Sequence, residues 1–213
     1  MMIDTRIFYE KRGRIRYTSH LDMNRLMQRA LARTHLPVWF TQGFNPHLYL
    51  TFPLPLSLGF ESAYEMMDIR LTEPLPAGEV LGRLNAQLPA GLSVFEVAPP
   101  VLPAAKVAFC DYAIALPWAV QEELEGFFSA PIVVDKKTKR GISAVDIRPH
   151  MQLLGIEGQE GKTRLSLRCE SGPVFSVNPS LAMAAFCAAK GCDAADIDYL
   201  KTAVRAADGE LFR

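Results

Sequence analysis

Three residues in the first third of the chain have side chains that transfer protons near neutral pH: His20, His47 and Glu65. As a set they fit acid–base chemistry, with His20 and His47 serving as acid and base of a metal-independent endoribonuclease or similar phosphoryl-transfer enzyme. They fit equally a hydrogen-bonded latch between helix, loop and strand. The latch is favoured, because the spacing reveals no nucleophile with an activating base.

A helix start beside two arginines is the second chemical feature. Ser19 is a suitable N-cap with Asp22 three residues on, and apolar residues then recur at helical spacing from 23 to 30. Arg14 and Arg16 are predicted to lie on a strand leading into this helix. Unpaired N–H groups and guanidinium forks bind phosphate together, although a plain cap beside solvated arginines fits the same pattern.

The loop Gln42-Gly43-Phe44-Asn45-Pro46-His47 combines turn-forming residues with an aromatic ring and an imidazole. Phe44 is a candidate for stacking on a base, and His47 for contacting phosphate. The alternative is a structured turn, with Phe44 filling the core and His47 closing a hydrogen bond.

A second basic region occupies residues 136–151. A strand predicted across 146–150 would place Asp146, Arg148 and His150 on one face, a pattern that suits either nucleic acid or a solvated sheet. In total, the residues predicted to bind RNA or its phosphates are Arg14, Arg16, Ser19, His20, Arg25, Arg29, Phe44, Asn45, His47, Lys136, Lys137, Lys139, Arg140 and Arg148.

Composition narrows the classes of function. The 213 residues have zero net charge, yet residues 1–35 carry eight basic against three acidic side chains, which favours a polyanionic partner. No apolar stretch suits a membrane helix or signal peptide, so we expect a cytoplasmic protein without a membrane partner. The four cysteines lack CxxC spacing and the histidines lack metal-ligand spacing, so neither a metal nor another cofactor is expected. Phosphate-loop, nucleophile-elbow and dinucleotide motifs are missing.

The order of elements predicts an α+β protein with two domains. The proline-rich segment 99–106 is the predicted linker, between an N-terminal domain at 1–98 and a C-terminal domain at 107–213. A hairpin at 3–10 and 14–18, a helix at 20–34 and further strands and helices give the order β-α-β-β-α-β, which the second half repeats. We therefore expect two tandem ferredoxin-like domains, antiparallel sheets with helices on one face.

The segments RIRYTSHLDMNRLMQRALARTHLPVWFTQGFNPH and FPLPLSLGFES, together with SAYE, resemble a family of unknown function that is fused to, or encoded beside, B12-binding-type radical SAM proteins. The likeness covers about residues 10–72, and VDIRPHM and NPSLAMAAF fit its later pattern. In that family a proline and then a basic or polar residue usually follow the loop histidine, whereas here Leu48 and Tyr49 do.

The resemblance implies a freestanding accessory domain, since this chain lacks the CxxxCxxC of a radical SAM cluster. It also implies a radical SAM partner and, from the gene neighbourhoods of the family, an RNA substrate. The leading hypothesis is a non-catalytic module that presents a tRNA or ribosomal RNA to a modifying enzyme. The alternatives are the endoribonuclease above and a protein-interaction subunit of a radical SAM enzyme.

Overall fold

The computed structural model describes residues 2–138 and 141–213, apart from the side chains of 136–138 and 142. Lys139 and Arg140 of the predicted basic region, and the side chains of Lys136 and Lys137, lie outside the described residues. The fold is mixed α+β and divides into two compact units, Met1–Val107 with Leu211–Arg213, and Ala108–Glu210. Within the described ranges, no helix is both long and apolar enough to cross a membrane.

The first unit is a four-stranded antiparallel sheet with two helices. Its elements in chain order are β1 Ile3–Lys11, α1 His20–Thr34, β2 Leu50–Thr51, β3 Glu61–Leu71, α2 Ala77–Asn85 and β4 Leu92–Ala98. The strand order across the sheet is β4-β1-β3-β2. The apolar stripe of α1, which includes Met27 and Leu31, packs into the same core as Ile7, Met67 and Ile69 of the sheet.

The predicted hairpin between 3–10 and 14–18 is wrong. Residues Gly13–Tyr17 form a 3₁₀ turn, because β3 and β4 pair with the two edges of β1 and leave no edge for another strand. The backbone reverses at Gly13, whose φ is +66°, and Arg12 donates its N–H to Gly91 instead. Arg14 and Arg16 consequently lie on a turn and not on a strand.

The second unit has the same kind of sheet. Its elements are β5 Phe109–Leu116, α3 Gln121–Phe128, β6 Val133–Thr138, β7 Gly141–Asp146, β8 Met151–Gln159, β9 Lys162–Glu170, α4 Pro179–Lys190 and β10 Asp198–Arg205. The strand order is β10-β5-β9-β8, and β6 and β7 form a separate hairpin.

The strand predicted across 146–150 is also wrong. β7 ends at Asp146, and Arg148–His150 form a 3₁₀ turn. The Asp146 carboxylate accepts the N–H groups of Ile132 and Arg148, which bends the chain away from an extended course. Asp146, Arg148 and His150 therefore do not form a strip along one strand.

A buried arginine ties several segments of the first unit together. Arg6 is 1% exposed and donates to both oxygens of Asp68 on β3, at 2.7 and 2.8 Å. Its third contact is the carbonyl of Leu102 at 3.0 Å, and its guanidinium lies 4.8 Å from the Phe212 ring centre. One side chain thus joins two strands to the segment after β4 and to the last residues of the chain.

We predict that Asp68→Ala lowers the free energy of unfolding of the first unit by about 3 kcal/mol, because it leaves the buried Arg6 cation uncompensated. Asp4→Ala is the matched control, since Asp4 pairs with Arg70 across the same two strands but is exposed. Denaturant unfolding followed by Trp39 fluorescence, in a Trp118→Phe background, measures both. Equal losses of stability in the two variants would contradict the prediction.

A carboxylate shared by two arginines organises the second unit. Asp111 on β5 accepts from Arg168 at 2.6 and 3.0 Å and from Arg205 at 2.5 Å. Burial by itself raises the pKa of this carboxyl, but the hydrogen bonds and charges of the two guanidinium groups outweigh it and lower the pKa below its ordinary value.

A lowered pKa in the folded state contributes stability above the ordinary aspartate value, about pH 4, that is lost as the pH falls through the folded value. Asp111→Asn should therefore destabilise the second unit at pH 7, and its deficit should shrink at about pH 3. Denaturant unfolding followed by Trp118 fluorescence in a Trp39→Phe background measures it. The exposed Glu157→Gln is the control, for which we expect little change at either pH. A deficit that does not vary with pH would refute the assignment.

Candidate functional site

The loop that carries the sequence GFNPH rests on a cluster of one cation and two aromatic rings. Arg70 of β3 lies over Tyr49 at 4.5 Å and over Trp39 at 5.5 Å. Backbone hydrogen bonds join the same three residues. The N–H of Trp39 donates to the Arg70 carbonyl, and the N–H of Tyr49 donates to the Trp39 carbonyl. The base of the loop is therefore attached to the sheet on both sides.

Above this base the chain forms a narrow hairpin loop, residues 41–47, which we call the Phe44 loop. Phe40 and Leu48 pair as an antiparallel bridge, and Thr41 donates its N–H to the His47 carbonyl at 2.8 Å. Gly43 at the tip has a φ of +138°, a value that side chains rarely tolerate. Phe44 is fully exposed, so it does not fill the core.

His47 is oriented by the loop itself. Its Nδ1 lies 3.0 Å from the Thr41 hydroxyl and 3.1 Å from the Asn45 carbonyl. Because a carbonyl only accepts, Nδ1 is assigned the proton, which makes Nε2 the acceptor of the neutral ring. Of the structured-turn alternative for this loop, the part in which His47 closes a hydrogen bond is thus confirmed, and the part in which Phe44 fills the core is wrong.

A groove separates the Phe44 loop from α1, and we call it the α1–loop groove. Its volume is about 500 Å³, in the range of small-molecule sites. The residues that line it are Arg25, Gln28, Arg29 and Ala32 of α1, and Phe40, Pro46, His47 and Leu48 of the loop. Arg25, Arg29 and His47, all predicted to bind RNA, therefore share one site, with Phe44 and Asn45 in the adjoining loop.

Both groove arginines are exposed and only lightly engaged. Arg25 pairs with Asp22 at 3.3 Å, and each side chain of this pair is 60% exposed. Arg29 donates from Nε to the Arg25 carbonyl at 3.3 Å. Such surface contacts contribute little and exchange readily for a phosphate, so this face of the helix provides two adaptable cations.

The start of α1 is satisfied by groups of the protein. Ser19 accepts the N–H of Asp22 at 3.2 Å and donates its hydroxyl to the Asp22 carboxylate at 2.8 Å. Arg16 lies 3.8 Å from Glu61, while Arg14 is exposed on the preceding turn. Since the Asp22 carboxylate lies at this helix end and Glu61 lies beside Arg16, the helix start suits a bound anion less well than the groove does.

His20 and Glu65 lie together, away from His47. They line a cavity of about 10 Å³ with Tyr9 and Lys11, room for about one water molecule. The His20 ring meets Phe52 edge-on at 5.2 Å, and Lys11 donates to the Thr18 carbonyl at 3.1 Å. Burial, and to a lesser extent the charge of Glu65, raises the pKa of the Tyr9 hydroxyl.

The two imidazoles therefore belong to separate cavities, and the described residues include no hydrogen bond between them. This geometry gives no support to a joint role as acid and base in cleavage. Tyr9 and Lys11 of β1 and Glu65 of β3 are buried and line the small cavity beside His20 at the start of α1, without His47.

Arg148, another predicted RNA contact, is engaged inside the second unit. Its Nε donates to the Phe128 carbonyl and its Nη1 to the Met151 carbonyl at 2.7 Å, and the guanidinium lies over the Phe128 ring at 5.9 Å. This arginine ties α3 to the turn before β8. The sequence did not point to Gln28 and Phe40 of the groove, since neither stands in a motif, although helical spacing from Arg25 places Gln28 on the same face.

The described residues contain no group of three or more His, Cys, Asp or Glu side chains arranged to hold a metal ion. Two cysteines, Cys169 and Cys187, have a raised pKa, so their thiols stay protonated at neutral pH. Burial, together with the neighbouring Cys192 thiol, raises the pKa of Cys187 to about 12, and burial raises that of Cys169 as well.

Comparison with known proteins shows the family to which the chain belongs. The model of a family described as an uncharacterized protein conserved in bacteria, DUF2344, matches residues 5–179. No curated protein matches the chain. A crystal structure of a CRISPR-associated protein from Thermus thermophilus aligns with 86% of this chain and 89% of its own, at 17% identity and a TM-score of 0.25, which is too low to indicate a common fold.

The exposure of Phe44 gives a test of whether it serves the fold. We predict that Phe44→Ala changes the free energy of unfolding by less than about 0.5 kcal/mol, because the ring buries no surface. Phe60→Ala, a buried ring just before β3, should cost about 3 kcal/mol. Denaturant unfolding of both variants measures this. A comparable destabilisation by Phe44→Ala would mean that the ring is a packing residue.

Proposed function

We propose that this chain, which belongs to the DUF2344 family of uncharacterized proteins conserved in bacteria, binds structured RNA through the α1–loop groove. The observation that carries the proposal is the convergence of two exposed arginines and an oriented imidazole on one groove, beside a fully exposed aromatic ring. Cations supply affinity for the phosphate backbone, and the ring supplies a surface for a base.

Each part of the groove has a role in this proposal. Arg25 and Arg29 contact successive phosphates, which the planar guanidinium group binds through two parallel hydrogen bonds. Phe40 and Leu48 supply an apolar wall beside these contacts. His47 accepts or donates at Nε2 according to its protonation, so it can meet either a sugar hydroxyl or a phosphate.

The position of Phe44 favours structured RNA over a regular duplex. A ring at the tip of a narrow loop stacks only on a base that is turned out of its helix, and such bases occur in the loops, bulges and ends of folded RNA. Transfer RNA and ribosomal RNA are rich in these features. A stacked base contributes about 1–3 kcal/mol to binding.

We further propose that the bound RNA is presented, in the cytoplasm, to a radical SAM enzyme that modifies it. The support is the resemblance over residues 10–72 to the domain found beside radical SAM proteins, together with a chain that lacks the cysteines of such a cluster. The modification itself would then be carried out by the partner.

The fold proposal follows from the strand orders. Each unit combines two helices with a four-stranded sheet, and numbering the strands within each unit gives the order 4-1-3-2 twice once the β6–β7 hairpin is treated as an insertion. This order supports two tandem ferredoxin-like units. Units of that kind recur in RNA-binding proteins, an analogy that agrees with the function but does not establish it.

Removing the groove cations is the direct test. We predict that the Arg25→Ala/Arg29→Ala double variant binds a fluorescent RNA hairpin about tenfold more weakly than the unmodified chain. The slope of the logarithm of the binding constant against the logarithm of the salt concentration should become less steep by about one for each phosphate that the variant no longer neutralises. Arg83→Ala is the matched control, because Arg83 is an exposed helical arginine paired with an acid one turn away but outside the groove.

Two results would contradict the proposal. One is the absence of RNA binding by the unmodified chain at low salt, where counterion release favours association most. The other is an equal reduction of binding in the groove variant and in Arg83→Ala. Phe44→Ala tests the remaining alternative, in which the loop binds a protein. If this variant still binds RNA but no longer copurifies with a radical SAM protein after nuclease treatment, the loop binds protein and not RNA.

A further inference from the structure

A second cavity lies entirely within the second unit. Its volume is about 330 Å³, and its walls are both polar and apolar. The residues that matter are His150 on the 3₁₀ turn, Arg168 and Glu170 on β9, Phe109 on β5, and Asp208. None of them takes part in the α1–loop groove.

His150 is held in a fixed orientation at the edge of this cavity. Its Nδ1 lies 2.6 Å from Oε2 of Glu170, and its ring stacks on Phe175 with centroids 3.8 Å apart and planes 26° from parallel. Because the carboxylate accepts a hydrogen bond, Nδ1 carries the proton and Nε2 of the neutral ring is an acceptor. The stack fixes the plane of the ring, and the hydrogen bond to Glu170 fixes its tautomer.

The guanidinium of Arg168 is also held in a fixed orientation. Its Nε and Nη2 donate to the two oxygens of Asp111 at 2.6 and 3.0 Å. Nη1 has no partner within residues 2–138 and 141–213, so it is the donor left for a ligand. The cavity therefore combines one oriented acceptor, on His150, with one oriented cationic donor, on Arg168.

An acceptor beside a cationic donor matches a hydroxyl beside a phosphate. We infer that this cavity binds a ribonucleotide unit, with the ribose 2′-hydroxyl donating to Nε2 of His150 and the adjacent phosphate accepting from Nη1 of Arg168. Phe109 supplies an apolar wall. Such a unit is about the size that the cavity accommodates.

The charges around the cavity limit the ligand further. Glu170 and Asp208 both line it, and two carboxylates repel a polyanion such as a nucleoside triphosphate. A phosphodiester carries one negative charge and a phosphomonoester about two at neutral pH, fewer than a triphosphate carries, and Nη1 of Arg168 can donate a hydrogen bond to either. The 2′-hydroxyl is the group that distinguishes RNA from DNA, so the cavity would select ribose over deoxyribose.

The inference rests on the proposed function only for the case in which the unit is part of an RNA strand. The same chemistry is offered by a free mononucleotide, and the two sources are distinguished by experiment. One arm uses a short single-stranded oligoribonucleotide, and the other uses adenosine 3′-monophosphate, each with 2′-deoxy and 2′-fluoro counterparts. Fluorine keeps the sugar pucker of ribose but cannot donate a hydrogen bond.

We expect the full chain to bind the ribose form about fivefold to tenfold more tightly than either counterpart, the effect of one hydrogen bond to an oriented acceptor. His150→Ala should remove this preference, and Glu170→Gln should reduce it. The groove variant Arg25→Ala/Arg29→Ala should weaken oligonucleotide binding but keep the preference, so failure of the groove proposal is distinguishable from failure of this one. Thermal unfolding confirms that each variant is folded.

Selectivity with the oligonucleotide alone would assign the cavity to an RNA strand, and selectivity with the mononucleotide as well would assign it to a free nucleotide; both support the inference. Equal binding of ribose, deoxyribose and fluoro forms would overturn it. A preference that survives His150→Ala in a folded protein would overturn it too, because the 2′-hydroxyl would then be recognised elsewhere.

Discussion

The first unit depends on the position of β1 between two antiparallel neighbours. With β3 on one edge and β4 on the other, the backbone N–H and C=O groups along most of this strand are directed at a neighbouring strand. The chain that leaves β1 has no edge to return to, so it turns at Gly13 and enters α1. The same register places Arg6 opposite Asp68 and Tyr9 opposite Glu65, and so produces both the buried ion pair and the polar group beneath the helix start.

The orientation of α1 follows from that constraint, and the groove follows from α1. Once Met27 and Leu31 face the sheet, the helical repeat leaves Arg25 and Arg29 on the side of the Phe44 loop. The base of the loop is attached to the sheet through Trp39, Tyr49 and Arg70, and the loop is closed by the bridge between Phe40 and Leu48. Walls that are ordered before binding reduce the entropic cost of ordering them around a ligand, which supports the binding role proposed for the groove.

The sequence was informative where local rules decide the structure. Helix α1, its Ser19 cap and the strand at 3–10 followed from spacing alone. Prediction from the sequence failed where the partners are distant along the chain. The alternation at 14–18 fits a strand, and a strand is excluded there only because β3 and β4 occupy both edges of β1. The pairing of His150 with Glu170 joins residues from different elements, and no spacing rule links them. Phe44 was ambiguous for another reason, because an aromatic residue among turn formers is equally typical of a core contact and of an exposed tip.

The two candidate sites differ in how their charged groups are held, and that difference separates affinity from discrimination. In the α1–loop groove the cations are exposed and weakly paired, so the contribution that we propose for them is electrostatic, sensitive to salt and insensitive to the sugar. In the cavity of the second unit each functional group is fixed by a carboxylate, His150 by Glu170 and Arg168 by Asp111. In the binding mode we propose, Arg168 adds little net attraction because Asp111 already balances its charge, and the fixed groups distinguish ligands by the position of a single hydroxyl. In the function we propose, the first unit supplies affinity for RNA and the second unit recognises the sugar, so substitution should alter either property while the other is kept.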